Sequence, residues 1–444
     1  MSNQLLVYTS KNTPRIKFIF DLMLKDIIGL DYSFTHDKIA YKNYDGPRLT
    51  YCDQSIANEV FIYASRLLFE KGIEDQQISI FEWKNIPVFF GTHPKYILPF
   101  DPFASSFYLV SRYEEYLPHI KDEHMRFSPH QSLAYQKGFL DKPLVNIWAE
   151  ELKKIILDKY PDITLKERNY KYISTFDIDS AFAYLEKGIM RHVGAITLAL
   201  ATFNFSKIIE RLSVIFGFKE DPYDTYAWQL EIKEKYHLKQ IYFFLLGNYG
   251  EFDKNIPVEG SHKFQSLIKS IADYADVGIH PSYASNFDKE QIKKEIRRLN
   301  KVLKRDVVKS RQHFLKITFP DTFRNLLEFD ITEDYSMGYA SEIGFRASIC
   351  TPFNFYDLDL DVETKLKLVP FVLMDGTMKD YMKLSKEESI LRAKKLVDQV
   401  RLVNGTFVTL WHNQSVNNSG EWIGWRNVYE EIAAYASGSI VKQE

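Results

Sequence analysis

The chain has little cysteine, no dominant charge and no long apolar run, and each shortage closes a class of reading. Cys52 and Cys350 are the only cysteines in 444 residues, so at most one bridge is possible and a disulfide-built scaffold is excluded. Lys and Arg number 57 against 59 Asp and Glu, a net charge of -2, which gives no electrostatic reason to expect nucleic acid or an anionic membrane. The longest uncharged apolar-rich stretch, residues 193–206, falls short of the ~20 residues of a bilayer span, so no transmembrane segment is expected. It reads as a packed helix, with Phe203 and Phe205 available for a substrate groove or a membrane surface instead. The opening MSNQLLVYTSKNTPRIK lacks the charged stretch, apolar core and cleavage site of a leader, and we expect a cytoplasmic protein. Internal repeats and low-complexity tracts are also missing, and the residues from Ser437 on read as a frayed tail.

The rest of the composition is that of a soluble globular chain long enough for two or three domains, with 45% hydrophobic and 26% charged residues. Aromatic content is high, at 15% with 28 Tyr and 33 Phe. Most of these rings serve core and interface packing, although exposed rings also stack on sugars.

Two regions differ in pattern. Residues 1–165 mix short apolar runs with helix-like stretches at 55–69 and 145–157, and read as an α/β domain of unknown role. The segment 101–116 reads as one amphipathic helix after an Asp-Pro start, its aromatic face turned to the second domain. A polar stretch, 158–169, is the expected linker. From 170 to 438, short apolar strands alternate with longer helices, the signature of βα units around a parallel sheet. Strands are expected near 172–177, 241–246, 277–280, 310–315, 326–330, 345–347, 371–374 and 406–411. A capping box at Ser385 and Glu388 opens one helix, and 289–303 is amphipathic with a solvated outer face.

In a (β/α) barrel, polar residues at strand ends on one face supply the chemistry. The run Ser174-Thr175-Phe176-Asp177-Ile178-Asp179 puts two carboxylates on one face at the end of a buried strand, where they are costly without a cation or a reaction. Asp179 and His280 suit a divalent ion such as zinc, which polarises a carbonyl and acidifies a water. Asp177 then acts as general base with Arg311 as its cationic partner, and His412 as general acid supported by Asp334. Taken singly, each residue has a plain structural reading as a turn cap or packing residue; their succession at strand ends favours the chemical one. Asp375-Gly376-Thr377 reads as a loop, with substrate contact as the minor reading.

The succession Asp-x-Asp, Gly-Ile-His at 278–280, Arg311, Asp334-Tyr335 and Leu-Trp-His at 410–412 resembles the polysaccharide deacetylase family, the NodB-like carbohydrate esterases of type 4, over roughly the last 270 residues. Phe100-Asp101-Pro102-Phe103 and Ser111–Tyr116 resemble an uncharacterised domain found ahead of such barrels in bacterial proteins. The resemblance implies a distorted (β/α) barrel of about seven strands and hydrolysis of an acetyl amide or ester on a carbohydrate or related small molecule. It assigns Asp177 as base, Asp179 and His280 as metal ligands, Arg311 and Asp334 as partners of base and acid, and His412 as acid. The metal it implies is zinc, with cobalt or nickel as alternatives.

The chain departs from that family at one ligand. Pro281 follows His280, and Ala284 stands where a second histidine is expected. Two repairs are open: His313, two residues after Arg311 on an expected common strand face, as metal ligand or as a hydrogen-bond donor behind the ligands, or Ser282, Ser285 or Asn286 holding a water or binding weakly. The Pro-rich sequence expected after the arginine is missing too, and no oxyanion donor is identified. Trp411, Trp422, Trp425 and Tyr335 are the candidate substrate contacts, with helix packing the equal alternative for Trp422 and Trp425. The rival reading is a metal-free, noncatalytic barrel binding a glycan or a protein. A glycosidase is disfavoured because Asp177 and Asp179 stand on one side of any cleft.

Overall fold

In the computed structural model, which describes residues 4–438, the chain is a mixed α/β protein with two main sheets. The tail expected from Ser437 on therefore lies, past Gly438, outside the described residues. The first sheet is parallel: β1 (Leu5–Thr9), β2 (Tyr32–Thr35), β3 (Arg48–Cys52) and β4 (Val60–Tyr63) run in the order β2-β1-β3-β4. Helix Pro14–Phe20 follows β1, capped by Thr13, whose hydroxyl accepts from the Ile16 N–H. A small antiparallel hairpin, β5 (Phe81–Trp83) and β6 (Ile86–Val88), follows as a separate two-stranded sheet.

Two expectations in this region are corrected. Residues 55–69 form β4 and a short turn rather than a helix: Val60 and Ile62 are buried while Tyr63 is exposed, so the alternation has period two. The single helix 101–116 is instead two, Pro102–Val110 and Tyr113–Tyr116, because Arg112 between them is left-handed with φ 53°. Buried partners hold that break in place. The Arg112 guanidinium donates to Glu115 at 2.8 Å, to the Tyr339 hydroxyl at 3.0 Å and to the Arg346 carbonyl.

The second sheet contains β7 (Lys171–Ile178), β8 (Lys239–Phe244), β9 (Asp276–Ile279), β10 (Lys309–Ser310), β11 (Glu333–Asp334), β12 (Phe353–Asp357), β13 (Val362–Leu368), β14 (Leu373–Met374) and β15 (Thr406–His412). Their order is β12-β13-β11-β10-β9-β8-β7-β15-β14, parallel throughout except for the β12/β13 pair. Nine strands thus stand where about seven were expected, and β12 and β14 are the two ends of the hydrogen-bonded order. One face carries its own apolar cluster, including Ile173, Ile241, Phe243, Phe371, Val408 and Leu410.

The expected strand at 326–330 is the end of helix Asp321–Glu328, where Phe323 and Leu326 bury one helical face, and 345–347 is a turn. A short apolar run does not by itself distinguish the two periodicities. The helices at Leu144–Lys159, Lys289–Leu303 and Lys386–Leu402 form as their patterns require, the last with its capping box.

The main apolar core is continuous from the first sheet to the second. Phe107 packs edge-on against Tyr356 at 5.1 Å, and buried Glu115 accepts from Arg346 at 2.6 and 2.9 Å. An aromatic face of the 102–110 helix does meet the later part of the chain.

Candidate metal and catalytic site

β7 ends between β8 and β15, so Asp177 lies beside His412 in register and Phe243 on the other side. Arg311 follows β10 and is fully buried. Its Nη1 is 3.1 Å from Asp177 Oδ1 and donates to the Thr175 hydroxyl at 2.5 Å, while its Nε donates to the Tyr335 carbonyl at 3.0 Å. The rings of Phe243 and Phe371 lie 4.8 and 5.5 Å from the guanidinium, so its charge faces aromatic surfaces and one carboxylate. Gly278, in register with Phe243, makes room for this cradle; a Cβ there would come within 2.7 Å of the Phe243 ring and of the Lys309 carbonyl.

His280 stands one residue past β9. Its Nδ1 is 2.5 Å from the Arg311 carbonyl, an acceptor only, so Nδ1 carries the proton. Nε2 is thereby turned toward Asp179 Oδ1 at 3.3 Å and Asp177 Oδ2 at 3.7 Å. His313 repeats the arrangement: its Nδ1 bonds Asp253 at 2.9 Å, and its Nε2 is 3.7 Å from the same Asp179 oxygen. Candidate ligand atoms of Asp179, His280 and His313 all lie within 4.8 Å of one another.

His313 arrives there by a different route from the expected shared strand face. β10 ends at Ser310, and His313 opens a tight turn in which Phe314 and Leu315 have φ 60° and 53°. Residues from the first part of the chain brace this turn. Arg126 donates to the Phe314 carbonyl at 2.8 Å, and His124 packs edge-on against the Phe314 ring at 4.7 Å. The weaker alternatives are committed elsewhere: the Ser282 hydroxyl donates to buried Glu295, the Ser285 hydroxyl to the Ser282 carbonyl, and the Asn286 amide to nearby carbonyls.

The donor set fits a divalent cation. Asp179 Oδ1 is buried without a hydrogen-bond partner, although two imidazole nitrogens face it. Burial pushes the Asp179 carboxyl up, but His313 and His412 more than offset this and hold it well below the ordinary carboxylate value. Burial pulls His313 down, yet Asp179 and Asp253 raise it to about 9. Two imidazoles and a carboxylate, with positions left open, are a ligand set suited to zinc or a similar ion.

His412 completes the group. Its Nδ1 is 2.8 Å from Asp375 Oδ1, its backbone N–H donates to Asp375 Oδ2 at 2.7 Å, and its Nε2 lies 3.8 Å from Asp179 Oδ2. Burial lowers the imidazole, but Asp375 and Asp179 raise it to about 10. Asp375, not Asp334, is therefore the carboxylate on His412. The sheet order explains the correction: β14 pairs with β15 and delivers Asp375, whereas β11 is separated from β15 by β10, β9, β8 and β7. Asp334 instead accepts from the Ser310 and Ser336 hydroxyls and the Ser336 N–H.

The four candidate substrate contacts are also corrected. Trp411 is buried edge-on to Tyr429, and Trp422 and Trp425 pack on each other at 5.6 Å. Tyr335 is buried and donates to Glu333. None of the four presents an open face for a sugar. Sequence reasoning missed Asp253, which had no signal beyond its loop, and undervalued Asp375, which had one as the residue ending a strand.

Residues 5–161 match a family of unknown function, DUF7033. No curated protein matches the chain. Solved structures similar to it include a protein from Mycobacterium smegmatis described as a polysaccharide deacetylase, 16% identical with TM-score 0.40, covering 61% of this chain and 85% of that one. A polysaccharide deacetylase from Bacillus cereus is 12% identical with TM-score 0.28, covering 60% and 86%. A carbohydrate esterase family 4 pseudoenzyme from Bacillus anthracis is 12% identical with TM-score 0.28, covering 60% and 63%. At such identities, function has to be argued from the site itself.

Proposed function

We propose that this chain is a metal-dependent hydrolase that removes an acetyl group from an amide or ester of a carbohydrate or related small molecule. The observation that carries the reading is the convergence of His280 and His313, each with Nδ1 committed to an acceptor, on the unpartnered Asp179 oxygen. Asp179, His280 and His313 would hold the ion. Bound there, a divalent cation supplies Lewis acidity for the acyl oxygen and for water.

The chain's own groups do the rest. Asp177, fixed by Arg311 on one oxygen, presents the other toward the ligand cluster and takes a proton from the attacking water. As the water oxygen bonds to the acyl carbon, negative charge builds on the former carbonyl oxygen. The bond to the sugar nitrogen or oxygen then breaks, and His412 Nε2 gives that leaving atom its proton. Asp375 on Nδ1 stabilises the imidazolium form needed for this step. The products are acetate and a free amine or hydroxyl.

The metal-free binding reading drew on Ala284 standing where a ligand was expected. The approach of His313 to Asp179 supports the metal reading instead, and a binding module has no use for a base and an acid flanking the ligand cluster.

Elemental analysis of protein purified without chelator tests the proposal, together with acetate release from acetylated sugars. We expect close to one divalent ion per chain in the wild type, loss of the ion in His280→Ala and His313→Ala, and retention without turnover in His412→Ala. A wild type that takes up no zinc, cobalt or nickel would sink it.

A further inference from the structure

Past the last paired residues of β7, a side chain takes over from the strand ladder. On the β15 side the pairing ends at Asp177 and His412. On the β8 side it reaches Ile178, whose carbonyl accepts from the Leu245 N–H at 3.2 Å. Asp179 lies beyond both. Its carboxylate faces the Nε2 atoms of His280, His313 and His412 at 3.3, 3.7 and 3.8 Å, each longer than the ~2.7–2.9 Å of a hydrogen bond between charged groups. Contacts of that length do not fix the carboxylate, so its place depends on the main chain that carries it.

We propose that Asn413 is a positioning residue, which holds Asp179 at a set distance from His412 by tying the chain just after the one to the chain just after the other. Asn413 directly follows His412 and is 2% exposed. Its Nδ2 donates to the carbonyl of Ser180, the residue after Asp179, at 3.1 Å, and to the Tyr223 carbonyl at 3.0 Å. Both partners can only accept, so the amide sits one way round. The backing of this bond is also built. The Asn413 carbonyl accepts from the Thr225 hydroxyl at 3.0 Å, at the start of helix Tyr226–Tyr236. Buried Asp221 accepts the Tyr223 N–H at 3.0 Å together with those of Ala183, Tyr184 and Leu185 at 2.7, 2.8 and 3.0 Å. The turn behind Asn413 is thereby fastened to the loop that follows Asp179.

The consequence rests on the hydrolase reading. His412 has to reach the leaving atom while the ion held by Asp179 polarises the acyl oxygen, and a misplacement of ~1 Å between such groups costs about a hundredfold. Backbone pairing sets Asp177 against His412; the Asn413 amide extends that constraint to the metal side.

Asn413→Ala tests the clamp, with Tyr226→Phe beside it. The first removes the donor to Ser180 and Tyr223 and leaves room for a water to meet both carbonyls. The second removes the hydroxyl that donates to the Ala181 carbonyl at 2.9 Å in the same loop, while the Asn413 bonds to Ser180 and Tyr223 remain. Zinc affinity is read by competition with a chelating dye, turnover at saturating zinc on an N-acetyl amine and an aryl acetate, and stability by urea unfolding. Asn413→Ala should bind zinc roughly 10–100-fold more weakly, whereas Tyr226→Phe should stay within about threefold of wild type. At saturating zinc, Asn413→Ala should lose about tenfold or more in kcat on the amide with KM within about twofold, and no more than about threefold on the aryl acetate. Asn413→Ser carries the same expectation should the alanine chain not fold. A loss of stability with zinc affinity and the amide-to-ester ratio unchanged would overturn the clamp, as would equal weakening of zinc in Tyr226→Phe, which would assign the placement to the whole loop. A wild type that binds no metal would sink the hydrolase reading instead.

Discussion

Replacing Asp375 with Asn is the sharpest probe of the acid half of the site, because both Asp375 oxygens meet His412, with Oδ1 also accepting from the Gly376 N–H at 2.6 Å. Oδ1 bonds Nδ1 at 2.8 Å and Oδ2 accepts the backbone N–H at 2.7 Å. An amide of the same size can accept only one of these donors, and its NH₂ must face the other. In either orientation the imidazolium loses the charge of its partner, and a hydrogen bond to a charged group, worth about 1.5–3 kcal/mol, is no longer available to it. At ~1.4 kcal/mol per tenfold, the rate should drop by roughly ten- to a hundredfold wherever His412 must protonate the leaving atom. An N-acetyl amine requires that proton, whereas an aryl acetate with an acidic phenol does not. The assay is kcat/KM of Asp375→Asn and wild type on both substrates, with metal content measured alongside. The expected pattern is a large loss on the amide and a change of no more than about threefold on the aryl ester. Equal losses on both substrates, with metal retained, would refute His412 as the proton donor.

Other consequences of the structure are as direct. Arg126→Ala removes the donor to the Phe314 carbonyl beneath the His313 turn and should weaken zinc affinity by roughly 10–100-fold, read by competition with a chelating dye, while His280 and Asp179 are untouched. Glu115→Gln leaves Arg112 and Arg346 buried with less counter-charge and should lower unfolding stability by about 3–5 kcal/mol in urea. Burial pushes the Glu115 carboxyl up, but Arg346 and Arg112 outweigh it and hold it below 4.5. Its contribution is therefore present above pH 4.5 and lost as pH falls through the folded value, so the gap between wild type and variant should close in acid. Gly278→Ala drives a methyl against the Phe243 ring and the Lys309 carbonyl and should cost about 1–3 kcal/mol, with acetate release falling as Phe243 moves off Arg311.

These residues differ in how far the sequence alone discloses them, and the difference is physical. Asp177 and His412 stand at the ends of buried parallel strands, and Asp179 and His280 one residue past theirs, where a continuously buried run and a polar terminus coincide within a few residues of chain. Local pattern is enough to find them. Partners are another matter, because the carboxylate that meets His412 depends on which strand lies beside β15. That order is set by long-range pairing: β14 is only Leu373–Met374, too short to advertise itself, yet it carries Asp375 to the histidine, while the better-marked Asp334 ends up four strands further along the sheet than β15's neighbour β7. His313 shows the same limit in the opposite sense. It was expected near the ligands because a strand would place it on one face with Arg311, but the strand stops at Ser310. A left-handed turn, braced by Arg126 from a distant part of the chain, carries the ring to Asp179 instead. The tryptophans near His412 reverse the lesson, since spacing places them beside the acid while burial turns them into core. Strand-end chemistry is thus a local property, whereas the partner that tunes each group and the face each ring presents belong to the sheet order and to segments far away in sequence. Mutations at Asp375 and Arg126 are for that reason stronger tests of the site than further changes at the motif residues, whose loss would disable almost any mechanism assigned to them.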